Sequence, residues 1–319
     1  MEKETKLYSK NSDILFIYDA KLCNPNGDPD DENKPRMDYE TGKNLVSDVR
    51  LKRYIRDYLE SIGYEIFVSQ VDGETVKADV RLQKFFEKEN KKVKLDKLTS
   101  NDIDFVLSKL FDVRLFGATM PIGAQEGEKK GTSSNFIGPV QFNWGYSLNK
   151  VEIVESSTIT SIFAGRKEDS GTFGKDWRLY YSLIAFHGII SGYRAQFTNL
   201  SEEDVTLFDS ALLKSIPKIA STRSKIGQTP RLLLRVEYKD EETFLSDLRN
   251  NIKISKEDGL RDIGEFELDV SNLKSLLTRN KEKIDKVYLF EDEELKMEGG
   301  NLKSQLKPVF DENLIELSY

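Results

Sequence analysis

A chain of 319 residues with 38% apolar residues, 18 Phe and 13 Tyr is globular, and it is long enough for one elaborated domain or two average ones. One cysteine excludes an internal disulfide and a thiolate metal cluster within one chain, and one histidine excludes a His-rich metal site or a two-histidine hydrolase. The net charge of −7 argues against a nucleic-acid partner when taken alone, no window resembles a membrane span, and MEKETKLYSKNSD lacks a signal-peptide core, so a cytoplasmic protein with no membrane partner is expected.

DILFIYDAK (13–21) alternates apolar and other residues and predicts the first strand. NPNGDPDDENKPRMD (24–38), with three prolines, three asparagines, a glycine and five acids, is too polar to bury and predicts a loop. Ser47 then caps a helix that places Leu51, Ile55, Tyr58 and Ile62 on one face and ends at Gly63, with Arg50, Lys52, Arg53 and Arg56 on its other faces. EIFVS (65–69) reads as a short strand, 79–97 as a charged helical stretch, and TSNDIDFVLSKLFD (99–112) as a second capped helix. VRLFGATMPIGAQEGEKKGTSSN (113–135), with four glycines and little periodicity, is expected to be an exposed loop. IGPVQFNWGYSL (137–148) and LYYSLIAFHGIISGYRAQF (179–197) are the next strand signals. The β-branched arms between them, around a Gly/Lys/Asp-rich centre, predict a long hairpin projecting from the sheet. LSEEDVTLFDSALLKSI (200–216) is a helix capped by Ser201 with three acids in its first turn. RLLLRVEY (231–238) is a strand, and the acidic last part adds a helix (271–284) and a strand (286–290).

The order strand, helix, strand, strand, helix, strand predicts an α+β fold built on an RRM or ferredoxin-like sheet, with two helices on one face and the other face free. Charge distribution fits a nucleic-acid partner better than the total does. Residues 237–319 carry 13 Lys/Arg against 21 Asp/Glu, leaving 35 bases against 34 acids in 1–236. Lys214–Arg235 holds six bases and no acid, and Lys34–Arg56 seven bases against three acids. Phosphate binding follows the local patch.

NPNGDP, KPRMD, LVSDVRLKRYIRDYL, DVRLFGA, GPVQF and TRSKIGQTPRLLLRVEY together resemble the signatures of the CRISPR-associated backbone subunit of type I effector complexes. The resemblance is to the type I-B branch of the "seven" superfamily of repeat-associated proteins, and it spans residues 12–240 in four blocks. It implies an RRM-like palm (12–62 plus 137–240), a helical fingers insertion (63–136), a β-hairpin thumb within the palm region (149–178) and an acidic C-terminal elaboration of the same domain (241–319). It further implies copies that self-associate into a helical filament along one guide crRNA, beside other Cascade subunits, and that present the spacer for pairing with target DNA in antiviral defence. The thumb of one copy is expected to fold over RNA held by its neighbour. Such type I subunits do not cut nucleic acid, and no cofactor or metal is implied. Type III relatives cleave target RNA with a loop aspartate, so a metal-dependent endoribonuclease using Asp19, Asp28 or Asp30 is the rival reading, and a general RNA-binding scaffold is a third.

On this basis Asn24, Asn26 and Gly27 supply amide donors, and Lys34 and Arg36 supply charge, at the edge of an RNA face. A solvated, proline-stiffened turn is the alternative; a calcium loop fails on the spacing of its carboxylates. Arg50 and Arg53 line the RNA channel or form a solvated face, and Arg114 contacts a phosphate or makes a structural salt bridge. Arg223, Lys225, Gln228 and Arg231, in an acid-free stretch around Gly227, form the strongest patch for a sugar-phosphate backbone, with a plain surface turn as the bland reading. Phe163, Arg166 and Phe173 are thumb candidates, because a hairpin that wedges between bases needs an apolar tip; core packing is the other reading. His187, mid-strand, reads as packed rather than catalytic, and Arg194 either faces RNA or pairs with an acid.

Overall fold

A computed structural model describes residues 6–95, 98–121, 133–155, 158–164 and 171–319. The first strand, β1 (Ser12–Lys21), is followed by the short strands β2 (Gly27–Asp28), β3 (Lys34–Pro35), β4 (Met37–Asp38) and β5 (Lys43–Val46) and by helix α1 (Asp48–Ser61). Next come α2 (Ala78–Lys88), α3 (Ser100–Lys109) and α4 (Phe111–Phe116), then β6 (Gly117–Pro121), β7 (Ser133–Ile137), β8 (Val140–Phe142) and β9 (Gly145–Ser147). They are followed by β10 (Thr158–Ala164), β11 (Gly171–Lys175), β12 (Tyr181–Ile190), α5 (Gly192–Thr198), α6 (Glu202–Ile219) and β13 (Gln228–Tyr238). The C-terminal part holds β14 (Lys253–Ile254), β15 (Leu268–Asp269), α7 (Ser271–Arg279), β16 (Ile284–Glu291), α8 (Leu302–Phe310) and β17 (Leu314–Glu316).

The main sheet runs β17-β16-β13-β1-β12-β9-β5-β4, with β8 also paired to β12. At its centre β13, β1, β12 and β9 are antiparallel neighbours. Their order is fourth, first, third, second among the four strands expected from the sequence. Ile14, Phe16, Tyr18 and Ala20 of β1 pack with α1 and α6 residues such as Leu51, Ile55, Phe208 and Leu212. The alternate residues Leu15 and Ile17 face the other way, into a second core with Leu234, Phe266, Leu273 and Leu306. The C-terminal part therefore covers the sheet face expected to be free. The physical reason lies in the strands themselves: apolar residues occupy both parities of β1, β12 and β13, and leaving one face open would expose a large apolar patch.

Three expected elements change. Residues 65–69 form no strand, because the backbone N–H groups of Phe67 and Val68 donate to the buried Asp112 carboxylate instead of a ladder. Residues 113–121 and 133–137 are not loop: α4 ends at Gly117 (φ 75°), and β6 pairs antiparallel with β7. The strand expected over 179–197 stops at Ile190, where the Ser191 side chain caps α5. α2, α3 and α4 enclose their own small core of Leu82, Phe85, Phe86, Val106, Leu110 and Val113. β10 and β11 pair antiparallel, with Thr160 opposite Phe173. Arg166 and the side chains of Phe163 and Phe173 lie outside the described residues. Among the described residues no helix is long and apolar enough to cross a membrane.

Candidate nucleic-acid interface

Where β1 ends, the chain enters the polar loop, and local hydrogen bonds rather than apolar burial fix that loop. The Asn24 N–H donates to the Ser224 carbonyl (2.8 Å), and its side-chain Nδ2 donates to the Asn33 carbonyl (2.7 Å). The Asn26 side-chain oxygen accepts from the N–H (2.9 Å) and hydroxyl (3.0 Å) of Ser47, so this asparagine braces the residue that caps α1. Gly27 pairs across the loop with Pro35, and a Cβ there would press on the Asn33 carbonyl. Proline at 25, 29 and 35 stiffens this segment, and the short β2–β3 ladder closes it.

The turn 221–227 meets this loop from the far side. The carbonyl of Gly227 (φ 109°) accepts from the Lys21 N–H (2.8 Å), and Lys225 Nζ donates to the Asn24 carbonyl (2.5 Å). Arg178 joins three segments: it pairs with Asp176 (2.9 Å) and donates to the carbonyls of Leu22 (2.8 Å) and Arg223 (3.1 Å). The result is a cleft of about 440 Å³ whose walls include Asn24, Asn33, Arg50, Lys175, Trp177 and Lys225.

Its electrostatics are unusual for a chain of net charge −7. No carboxylate among the described residues lies within ion-pair distance of Arg50, Lys175 or Lys225. Arg50 stacks over the Tyr54 ring at 4.0 Å. Burial, reinforced by the Arg50 guanidinium, pulls the Lys225 amine down to about 8. Burial pushes the neighbouring Cys23 thiol up to about 12, so it stays neutral. Arg223 is 63% exposed on its side chain and only loosely paired with Asp176 at 3.6 Å. An anion entering the cleft would thus meet charge that the fold leaves uncompensated.

The predicted residues divide into two sets. Asn24, Asn26, Gly27, Arg50, Arg223 and Lys225 are brought together at the cleft. Lys34 and Arg36 stay on the loop but are engaged: Lys34 pairs with Asp31 (2.9 Å) beside Trp177, and Arg36 pairs with Asp28 (3.0 Å) within 5.7 Å of the Trp144 ring. Gln228 is buried and donates to Tyr54 Oη (3.0 Å) and the Lys225 carbonyl (2.8 Å), so it holds the turn from within. Three other residues expected at RNA lie apart from the cleft, each in an ion pair. Arg53 pairs with Asp57 and donates to the Val68 carbonyl (2.7 Å), towards the helical insertion. Arg114 forms a two-pronged bridge to Asp204 (2.9 and 2.9 Å), the acid of the α6 capping box. Arg231 is buried on the other sheet face against Asp19 (3.0 Å), Asp292 (2.5 Å) and Glu294 (2.7 Å).

His187 is buried, 4.0 Å from Asp13, and Arg194 lies partly exposed near the exposed Tyr193 ring. Sequence reasoning missed Lys175, Trp177 and Arg178. Their signal was present in GKDWR, where two cations and one acid flank one of only two tryptophans. Asp19 and Asp28, offered for catalysis, are bound by Arg231 and Arg36; Asp28 also accepts from the backbone N–H of Asp30 (3.2 Å), which is itself exposed.

The chain matches the family model for the CRISPR-associated protein Cas7 over residues 10–271. It is also 32% identical over 304 residues to a CRISPR-associated protein Cas7 of Haloferax volcanii, covering 91% of this chain and 89% of the relative. The chain therefore belongs to the Cas7 family of CRISPR-associated proteins. Among solved structures it is similar to a chain of a CRISPR RNA-guided surveillance complex at 16% identity and TM-score 0.49, covering 97% of this chain and 95% of that one. A second such complex, in a pre-nicking state, gives 14% identity and TM-score 0.47, with coverage of 93% and 98%.

Proposed function

We propose that this chain is the non-catalytic, crRNA-binding backbone subunit of a type I CRISPR effector complex of the I-B branch, acting in the cytoplasm. Copies of it assemble along the guide, beside the other Cascade subunits, and display the spacer for pairing with target DNA. In this reading the sheet β13-β1-β12-β9 with α1 and α6 is the RRM-like palm. Residues 63–136 are the fingers, the β10–β11 hairpin belongs to the thumb at 149–178, and 241–319 elaborate the same domain.

One observation carries the reading. In a chain whose other arginines are largely committed to carboxylates, Arg50, Lys175 and Lys225 line one cleft with no acid in ion-pair distance among the described residues. The same cleft is lined by amides, backbone carbonyls and the carboxylates of Glu32 and Asp176, the latter already held by Arg178, and none of these carries a base code, which suits a protein that must accept any spacer. The two tryptophans, each close to a cation, border the same loop. The test is to mix purified chain with guide RNA. Salt-sensitive particles whose length follows the RNA are expected, with both strands of a paired target intact after incubation with magnesium. Cleavage at regular spacing would establish the endoribonuclease reading instead. Deletion of 156–172 should leave the chain folded and shorten the particles.

A further inference from the structure

Most lysines that meet other side chains in this fold meet a carboxylate. Asp262, Asp31 and Asp258 hold the amines of Lys21, Lys34 and Lys150 above the usual lysine range. Lys225 is placed the other way. It is part-buried in the wall of the cleft, its Nζ donates to the Asn24 carbonyl, and the charged groups acting on it are the Arg50 guanidinium and the Cys23 thiol. The two acids that line the cleft are taken up elsewhere: Asp176 pairs with Arg178 (2.9 Å) and Arg223 (3.6 Å), and Glu32 is exposed.

This setting changes what the amine can do. Burial and the Arg50 guanidinium favour its uncharged form, and a value of about 8 leaves about a quarter of it neutral at pH 7.5, against about 0.1% of an ordinary lysine. A neutral amine has a free lone pair and is a nucleophile. Arg50, Lys175 and Arg223 line the same cleft of about 440 Å³ and can hold an anionic group beside that lone pair. The molecule that answers both features carries a phosphate to be held and an electrophilic carbon next to it. An acyl phosphate is that molecule.

We infer that Lys225 is a modification site: the cleft holds a small acyl phosphate by its phosphoryl group, and the Lys225 amine takes the acyl group. The amine nitrogen forms a bond to the acyl carbon, and the bond from that carbon to the phosphate oxygen breaks. Inorganic phosphate leaves with the electron pair and carries off one amine proton. The resulting amide keeps one N–H for the Asn24 carbonyl, so the 221–227 turn stays anchored while the cleft loses a cation. A lower affinity for guide RNA follows on the RNA-binding reading above; the modification itself does not depend on that reading.

The experiment incubates the full chain with acetyl phosphate at pH 7.5, digests it with a Glu-specific protease and follows each lysine by mass spectrometry. Lys225 is expected to acquire acetyl about tenfold faster than Lys21 or Lys150, which is less than the ratio of neutral amines because a weaker base is a weaker nucleophile. Excess inorganic phosphate should slow Lys225 severalfold and leave the other two unchanged. Equal rates at the three lysines overturn the proposal, and so does a Lys225 rate that phosphate does not alter. Guide RNA bound beforehand should slow Lys225 about tenfold. Acetylation that is selective and phosphate-sensitive yet indifferent to RNA upholds the modification site and overturns the reading of this cleft as an RNA contact.

Discussion

Lys225 and Arg231 lie six residues apart in one acid-free stretch, and the fold sends them to opposite faces of the sheet. Lys225 sits on the turn before β13, beside Asn24 and Arg50, with a backbone carbonyl as its anchor. Arg231 lies within β13 and meets three carboxylates from β1 and the C-terminal part. Arg235, four residues further along β13, is buried against Asp209 of α6 and Glu237. A run of unopposed bases in sequence therefore became one turn lining the cleft and two structural bridges. A β-bulge opposite Ile17/Tyr18 leaves Arg231 as the extra residue of β13 and turns it to the face opposite Arg235, and distant acids complete what the local sequence leaves unpaired.

Breaking the structural end of this comparison should cost most. Arg235→Ala strands Asp209 in the core and should lower unfolding free energy by about 3–5 kcal/mol in urea titrations. The double change Arg235→Met with Asp209→Leu should recover most of the loss, because the cost lies in the unpaired charge. Gly227→Ala comes next, at about 1–3 kcal/mol, since its φ of 109° is strained for any side chain and a Cβ would press on the Lys21 carbonyl. That variant should also weaken RNA binding by displacing the 221–227 turn.

The binding end should respond in the opposite way. Arg223→Gln with Lys225→Gln should leave the unfolding free energy from urea titration within about 0.5 kcal/mol and lower RNA affinity about tenfold at 0.1 M salt, flattening the salt slope by about 1.4. Arg231→Gln should do the reverse, lowering stability with little change in the slope. A salt slope altered by Arg231→Gln would undo the division drawn here.

The smallest effect expected is on pH. In the fold Lys225 loses its proton near 8, whereas the unfolded lysine keeps it to about 10.5. Between these values the unfolded chain binds more protons, so this group's contribution to stability rises with pH. RNA phosphate favours the charged amine, so affinity should fall severalfold from pH 7 to 9. The two trends run in opposite directions, and Lys225→Met should remove both.

Much of this was legible from local pattern. The alternation of DILFIYDA, the Ser47 and Ser201 caps and the polarity of 24–38 located β1, α1, α6 and the loop, because these signals need only neighbours in sequence. The cleft was half legible: Asn24, Arg50, Arg223 and Lys225 carry the charge and the amides, while Lys175, Trp177 and Arg178 arrive from a segment whose role depends on where the hairpin returns. The covered sheet face was the larger miss. Apolar residues on both parities of β1 already implied two buried faces, but the expected topology assigned one of them to RNA.

Sequence alone determined β1, α1, α6 and β13, the family resemblance and the presence of local runs of cations in a chain of negative total charge, since period, caps and composition are local quantities. Which cations stay uncompensated was decided only in three dimensions. Asp19, Asp204, Asp209 and Asp292 are far from their arginine partners in the chain, and only the packing of sheet, helices and C-terminal part brings each pair within hydrogen-bond distance.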